Sequence, residues 1–261
     1  MLACVLNVSE GRRRAVLDAL ATAAGAGLLD VHVDPFHHRA VLTLVGEEAP
    51  RSVAREAVRR IDLRRHAGAH PRIGAVDVVP FVPLAGSSPV DAVAARDRFA
   101  TWVAAALGVP AHRYGHDGPS LPEVRRAARG RRPDAGGPLP HPTAGAVAVG
   151  ARDVLVAYNV VLAEPDLRRA RAVAAAVRGP AVRALGLRVG PDVQVSMNLV
   201  RPRELGPAGA YDAVAALAPV RQAELVGLVP EDVLRAVDPA RWPTLDLAAD
   251  RTIEARLRAR S

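Results

Sequence analysis

Apolar positions along this chain switch between a period of two and a period of three to four, and each switch marks an element. Leu2 to Val8 is a short apolar run with strand character. Ser9-Glu10-Gly11 then turns the chain into a helix from about Arg13 to Ala24, where Val16, Leu17, Leu20 and Ala23 stand at helical spacing. Gly27 to His32 and Arg39 to Val45 are predicted strands joined by the polar hairpin Asp34-Pro35-Phe36-His37-His38-Arg39. Val53, Ala54, Ala57, Val58 and Ile61 form the stripe of a second helix that carries Arg55, Arg59 and Arg60 outward. After a strand over Ala75 to Val82, Ser88-Pro89-Val90-Asp91 has the form of a capping box and opens a helix to about Leu107. Val109 to Tyr114 reads as a strand and Leu121 to Arg129 as a short helix.

The pattern lapses between Gly130 and Gly145, where prolines and glycines recur without a hydrophobic period. So long a connection in a compact protein is functional or disordered, and here it divides the chain into residues 1–144 and 145–261. Strands resume at Ala146 to Val149 and Asp153 to Leu162, followed by an arginine-alanine helix after Glu164-Pro165-Asp166. Val193 to Leu199 is a strand, Tyr211 to Leu217 a helix, and Glu224 to Val229 the end of another strand. Pro230-Glu231-Asp232 opens a helix, and Leu245 to Arg260 has the pattern of an amphipathic surface helix. Alternating strands and helices predict an α/β or α+β layer architecture.

Composition narrows the function classes. Half of the 261 residues are apolar, enough for a sizeable core, yet no apolar run approaches the length of a membrane span. The start of the chain does not read as a signal peptide, which places the protein in the cytoplasm. The single Cys4 lies within an apolar strand and reads as a packed thiol. A net charge of +8 raises nucleic acid as a partner, but every basic residue is arginine and the excess is spread along the chain. With aromatics at 3%, the stacking platforms for single-stranded nucleic acid are missing.

Candidate chemistry concentrates in His66-Ala67-Gly68-Ala69-His70-Pro71-Arg72-Ile73-Gly74-Ala75-Val76-Asp77. Pro71 biases His70 away from helical dihedrals, so His66 and His70 do not share a helix face and His70 belongs at the mouth of a strand. An imidazole there exchanges protons near neutral pH, although a histidine before a strand is also a common surface or structural residue. A metal site competes for the same residues, because five of the eight histidines fall between His32 and His70. Glycine-rich phosphate loops, nucleophile elbows and His-Glu-x-x-His helices are absent from the sequence.

Several segments, in order from Leu2 to about Val237, closely resemble the formiminotransferase family. They are Leu6 to Arg12, His66 to Pro83, Leu107-Gly108-Val109-Pro110, Gly150-Ala151-Arg152, Ala157-Tyr158-Asn159, Val195 to Leu199 and Leu225 to Pro230. The resemblance implies two sheet-and-helix subdomains packed face to face with a ligand groove between them. It implies transfer of a formimino group from N-formiminoglutamate to N5 of tetrahydrofolate, a co-substrate, with no metal. His70 matches the family's general acid/base, and Gly136, Gly137, Pro138, Leu139, Pro140, His141, Pro142, Thr143, Ala144 and Gly145 match its folate-lining segment. Dimers are frequent in the family, and a separate cyclodeaminase would act on the product.

On that resemblance, Arg39 and Arg72 are expected to clamp substrate carboxylates, since guanidinium binds them in bidentate fashion. Asp77 either orients a histidine or satisfies the end of its strand. Asn159 and Asn198 are expected to hydrogen-bond the pterin or to satisfy backbone. The chain departs from the family at Leu6, His32, the Asp34 to His38 hairpin, Ala69 and Gln222-Ala223, several of which border the expected site. The alternatives are a divergent formimino- or formyltransferase using another amine, and a non-catalytic folate- or metal-binding protein.

Overall fold

The computed structural model describes residues 1–68, 72–127 and 130–260. It divides into two compact units, Met1–Asp153 and Val154–Ser261. Mixed α/β architecture holds in both, as the alternating periods predict.

The first unit is built on a sheet of six strands: β1 (Leu2–Val8), β2 (Leu28–Asp34), β3 (Arg39–Val45), β4 (Val76–Pro83), β5 (Ala111–Gly115) and β6 (Val147–Ala151). Their order is β2-β3-β1-β4-β6-β5. The first four pair antiparallel, whereas β6 runs parallel to both β4 and β5. Helices α1 (Arg14–Ala24), α2 (Glu48–Arg60) and α3 (Pro89–Leu107) share one core with this sheet. Leu17 and Leu20 of α1, Val53 and Ala57 of α2, and Phe99 and Val103 of α3 pack with Leu6, Leu42, Leu44 and Phe81 of the strands. A smaller cluster joins α4 (Leu121–Ala127), through Val124, to Val78, Tyr114 and Ala148. Helix α3 starts where the sequence predicts: the Ser88 Oγ accepts the Asp91 N–H while Asp91 Oδ2 accepts the Ser88 N–H at 2.8 Å.

The division falls after Asp153, so the boundary expected after Ala144 lies inside the first unit. The physical reason is β6, which is hydrogen-bonded between β4 and β5 and cannot be separated from that sheet.

The second unit has an antiparallel sheet ordered β10-β7-β9-β8, made of β7 (Val156–Leu162), β8 (Val182–Val189), β9 (Asp192–Leu199) and β10 (Val220–Val226). Its core gathers Tyr158, Val160, Val195, Met197 and Leu225 with α5 (Leu167–Val177), α6 (Pro207–Ala215) and α7 (Glu231–Arg235). Strand β8 escapes the sequence reading because exposed Arg183, Leu185 and Arg188 interrupt its apolar run, yet Val182 and Ala184 point into the core. The long C-terminal helix also fails to form. Helix α8 spans only Ile253–Arg258, capped by the Thr252 side chain, while Leu245 and Leu247 are buried in an irregular segment that includes Asp246 at positive φ. Among the described residues no helix is long and apolar enough to cross a membrane.

Candidate functional site

At the junction of β1 and α1 the free backbone N–H groups are taken by a carboxylate of the chain itself, that of Glu10. Arg13 precedes α1 and supplies no side-chain cap, so the exposed N–H groups of this turn need another acceptor. Glu10 Oε1 accepts the N–H groups of Gly11, Arg12 and Arg13 at 3.1, 2.9 and 2.9 Å, and Oε2 meets the Arg13 Nε at 2.5 Å. The residue is fully buried. Burial opposes its ionisation, but the backbone bonds and the Arg13 guanidinium outweigh that and hold the carboxyl below its ordinary value. Ser9 fastens the same turn to the start of β4, its N–H to Ala75 O at 2.8 Å and its Oγ to Gly74 O at 2.7 Å.

Against this turn lies the β2–β3 hairpin. A side chain at Gly11 would run into the Asp34 carbonyl and stand 2.7 Å from Arg39 N, so the close approach requires glycine. Asp34 Oδ1 accepts the N–H groups of Phe36 and His37, each at 2.9 Å, and Oδ2 bonds His37 Nδ1. Burial raises the Asp34 carboxyl, but the His37 bonds and the Phe36 N–H bring it down to about 2. Arg39, expected as a carboxylate clamp, is half-buried at the first position of β3, opposite Asp34.

His38 has a left-handed backbone, φ 52°, and its Nδ1 accepts the Gly11 N–H at 3.1 Å, a bond shared with Glu10 Oε1. An N–H can only donate, so Nδ1 carries the lone pair and the ring's proton resides on Nε2. His66 follows the same logic: Nδ1 accepts from Arg72 Nη1, and Nε2 bonds His38 O at 3.2 Å. Arg72 Nη2 also donates to Gly68 O at 3.0 Å, and a Cβ at Gly68 would crowd both Arg72 Nη2 and His38 Cβ at 2.8 Å. Burial, then the neighbouring His66, lowers the pKa of His38; burial, then Arg72, lowers that of His66. His70, the expected proton carrier, lies outside the described residues, as do Ala69 and Pro71.

The segment after His70 is pinned by Asp77. This buried carboxylate accepts the Ile73 N–H at 2.7 Å and bonds Arg125 Nη2 of α4 at 2.5 Å. The proline- and glycine-rich connection is also brought here. Thr143 O accepts the Leu63 N–H at 2.8 Å, Ala144 O accepts the Ala75 N–H at 2.9 Å, and Ile73 O accepts the Ala146 N–H at 2.9 Å. His141 Nδ1 accepts the Ala144 N–H at 3.0 Å, and His141 and Gly145 exchange backbone bonds. Gly74 is obligatory, because a side chain there would collide with the Ala146 carbonyl. The connection thus has two parts: His141, Thr143, Ala144 and Gly145 are tucked against the turn, whereas Gly136, Gly137, Pro138, Leu139, Pro140 and Pro142 are exposed.

In the second unit, Asn159 of β7 donates to Glu224 Oε2 of β10 at 2.8 Å, and Ser196 of β9 stands opposite it. Asn198 is exposed on β9, across from Ala157 and Arg183. Both asparagines belong to the polar face of this sheet, the one opposite Tyr158 and Met197. Glu10 and Glu224 escaped the sequence reading as site residues, and His38 entered it only among the histidines of the competing metal site. For Glu10 a signal existed: it precedes a helix whose own cap position is arginine. Among the described residues no three His, Cys, Asp or Glu side chains are grouped as a metal cage requires.

A family model described as formiminotransferase domain, N-terminal subdomain, matches residues 1–152. A glutamate formimidoyltransferase of Streptococcus pyogenes serotype M1 is 33% identical over 92% of this chain and 91% of its own. One of Thermoplasma acidophilum is 34% identical over 93% and 91%, respectively. The formimidoyltransferase-cyclodeaminase of Gallus gallus is 34% identical over 90% of this chain, which spans 51% of that protein.

Proposed function

Because the chain belongs to the formiminotransferase family and is a transferase enzyme, we propose that it moves the formimino group of N-formiminoglutamate to N5 of tetrahydrofolate, with His70 as general acid/base. The carrying observation is the match to two glutamate formimidoyltransferases along nearly the whole of both chains. The local geometry agrees with it: Leu63, Ile73 and Ala75, which flank the His70 turn, are bonded to the backbone of Thr143, Ala146 and Ala144, within or directly after the segment matching the folate-lining one.

The chemistry asks for one imidazole. N5 of the folate attacks the amidine-like carbon and loses a proton, and the glutamate nitrogen takes a proton as its bond to that carbon breaks. A single base can carry the proton from the first nitrogen to the second through a tetrahedral intermediate. Arg72 and Arg39 serve as carboxylate clamps in this reading. His66 is less suited to proton transfer, because Arg72 and His38 O occupy its two ring nitrogens. Incubating the protein with N-formiminoglutamate and tetrahydrofolate tests the reading: 5-formiminotetrahydrofolate and glutamate are expected in equal amounts, and absence of both refutes it.

A further inference from the structure

We infer that His38 presents its Nε2–H as a neutral hydrogen-bond donor to a carboxylate oxygen of the amino-acid co-substrate, and so contributes to selecting that substrate. The inference rests on the transferase reading above and adds a binding residue to it.

Three observations converge on this role. The Gly11 N–H fixes Nδ1 as the acceptor, so the neutral ring has its donor on the other side. The ring is held in place, stacked on His66 at 4.0 Å between centroids and carried by a left-handed backbone. Its side chain is 12% exposed, and among the described residues Nε2 bonds no protein group.

The surroundings favour an anion. The carboxylate beside the ring, Glu10, is already consumed by three backbone N–H groups and Arg13. Arg12 reaches over the hairpin to Pro35 O at 2.8 Å, and Arg72 bonds the stacked His66. Burial disfavours a charge on the imidazole pair, Arg72 adds to this at His66 and Arg12 at both rings, and together they outweigh the opposing pull of Glu10. His38 therefore works as a donor in its uncharged form, and the cations beside it complement a carboxylate.

The test uses the full chain and H38N. Asparagine keeps an acceptor for the Gly11 N–H and tolerates positive φ, but it ends short of the Nε2 position. Calorimetric titration with N-formiminoglutamate should show about tenfold weaker binding by H38N, the scale of one lost hydrogen bond to a charged group. KM for that substrate should rise by the same factor, with kcat and KM for tetrahydrofolate unchanged. Equal donor affinity in an active wild type overturns this inference alone, whereas a wild type that neither binds nor turns over the donor overturns the functional reading as well. If H38N unfolds, the 15N resonances of His38 in wild-type protein decide. A shift at Nε2 on adding glutamate supports the role, and no shift, or a proton found on Nδ1, refutes it.

Discussion

The imidazole rings of His38 and His66 lie 4.0 Å apart, tilted by 37°, and each is tied by a ring nitrogen to a different backbone segment. His38 takes the Gly11 N–H and His66 reaches His38 O, so the β1–α1 turn, the β2–β3 hairpin and the approach to His70 meet at this pair. The first consequences concern which histidine moves protons and which hold the place.

If His70 is the proton carrier, His70→Ala should lower kcat by roughly 10² to 10⁴ and leave folate affinity nearly intact. His66→Ala is the comparison. It removes the anchor of Arg72, so its expected effect is mainly on KM for the carboxylate-bearing donor. Equal losses of kcat in the two variants would show that the turn's conformation, and not one imidazole, limits the rate.

The depressed pKa values of His38, His66 and His112 make stability depend on pH. Burial is the leading cause at each, and at His112 Asp134 partly opposes it. In the unfolded chain a histidine titrates near about 6.5, so just below that pH the unfolded state binds more protons than the folded one. Their contribution is fully present above about pH 6.5 and is lost as pH falls towards the folded values. Urea unfolding between pH 5 and 7.5 should give midpoints that rise with pH. A flat or falling profile would contradict the neutral assignment.

Asp77 bonds both the Ile73 N–H and Arg125, so its charge and its shape can be separated. Asp77→Asn keeps an acceptor for Ile73 but leaves the Arg125 guanidinium without its carboxylate, at an expected cost of about 2 kcal/mol. Adding Arg125→Met should recover part of that loss, a coupling that a double-mutant cycle in denaturant would measure. Simple additivity would mean that the pair does not act as a unit.

Gly74→Ala should destabilise by more than about 2 kcal/mol, because the added methyl meets the backbone carbonyl of Ala146, a residue whose own N–H is bonded to Ile73 O. Its activity should fall together with its melting temperature. A variant as stable as the wild type would mean that the connection yields easily, and that its fastening to Ile73 and Ala75 is loose.

No stoichiometric metal is expected to be needed, since the proposed proton transfer uses an imidazole alone. Elemental analysis of dialysed protein and assay after chelation check this. One zinc or nickel per chain, with activity lost on its removal, would reverse it.

Much of the first unit was legible in sequence because its elements announce themselves locally. The capping box at Ser88, the helical stripe at Val16 to Leu20 and the apolar run of β1 need no distant partner to be recognised. Strand β8 was not legible, since its pairing with β9 decides which of its residues face inward and its arginines mask the alternation. The C-terminal segment misled for the opposite reason. Leu245 to Arg260 reads as one amphipathic helix, but Leu245 and Leu247 are buried in an irregular segment and the Thr252 cap places the helix start beyond them. At the site, motif residues could be named, whereas the tautomers of His38 and His66 depend on the Gly11 N–H and on His38 O, each distant in sequence from the ring it meets.

The place of β6 in the first sheet has a consequence for the order in which the polypeptide can assemble. Strand β5 pairs in the sheet through β6, and β4 has an open edge until β6 fills it, yet β6 is the last of the six strands in the sequence. A ribosome that has synthesised the chain through β5 therefore holds a half-built sheet with exposed ladder groups, the kind of edge that recruits foreign strands. The residues between β5 and β6 must then traverse the sheet margin late, carrying the Thr143 to Ala146 backbone into its contacts with Leu63, Ile73 and Ala75. Closure of the sheet and completion of the loop proposed to line the folate are thus one event, and premature termination before Val147 forfeits both.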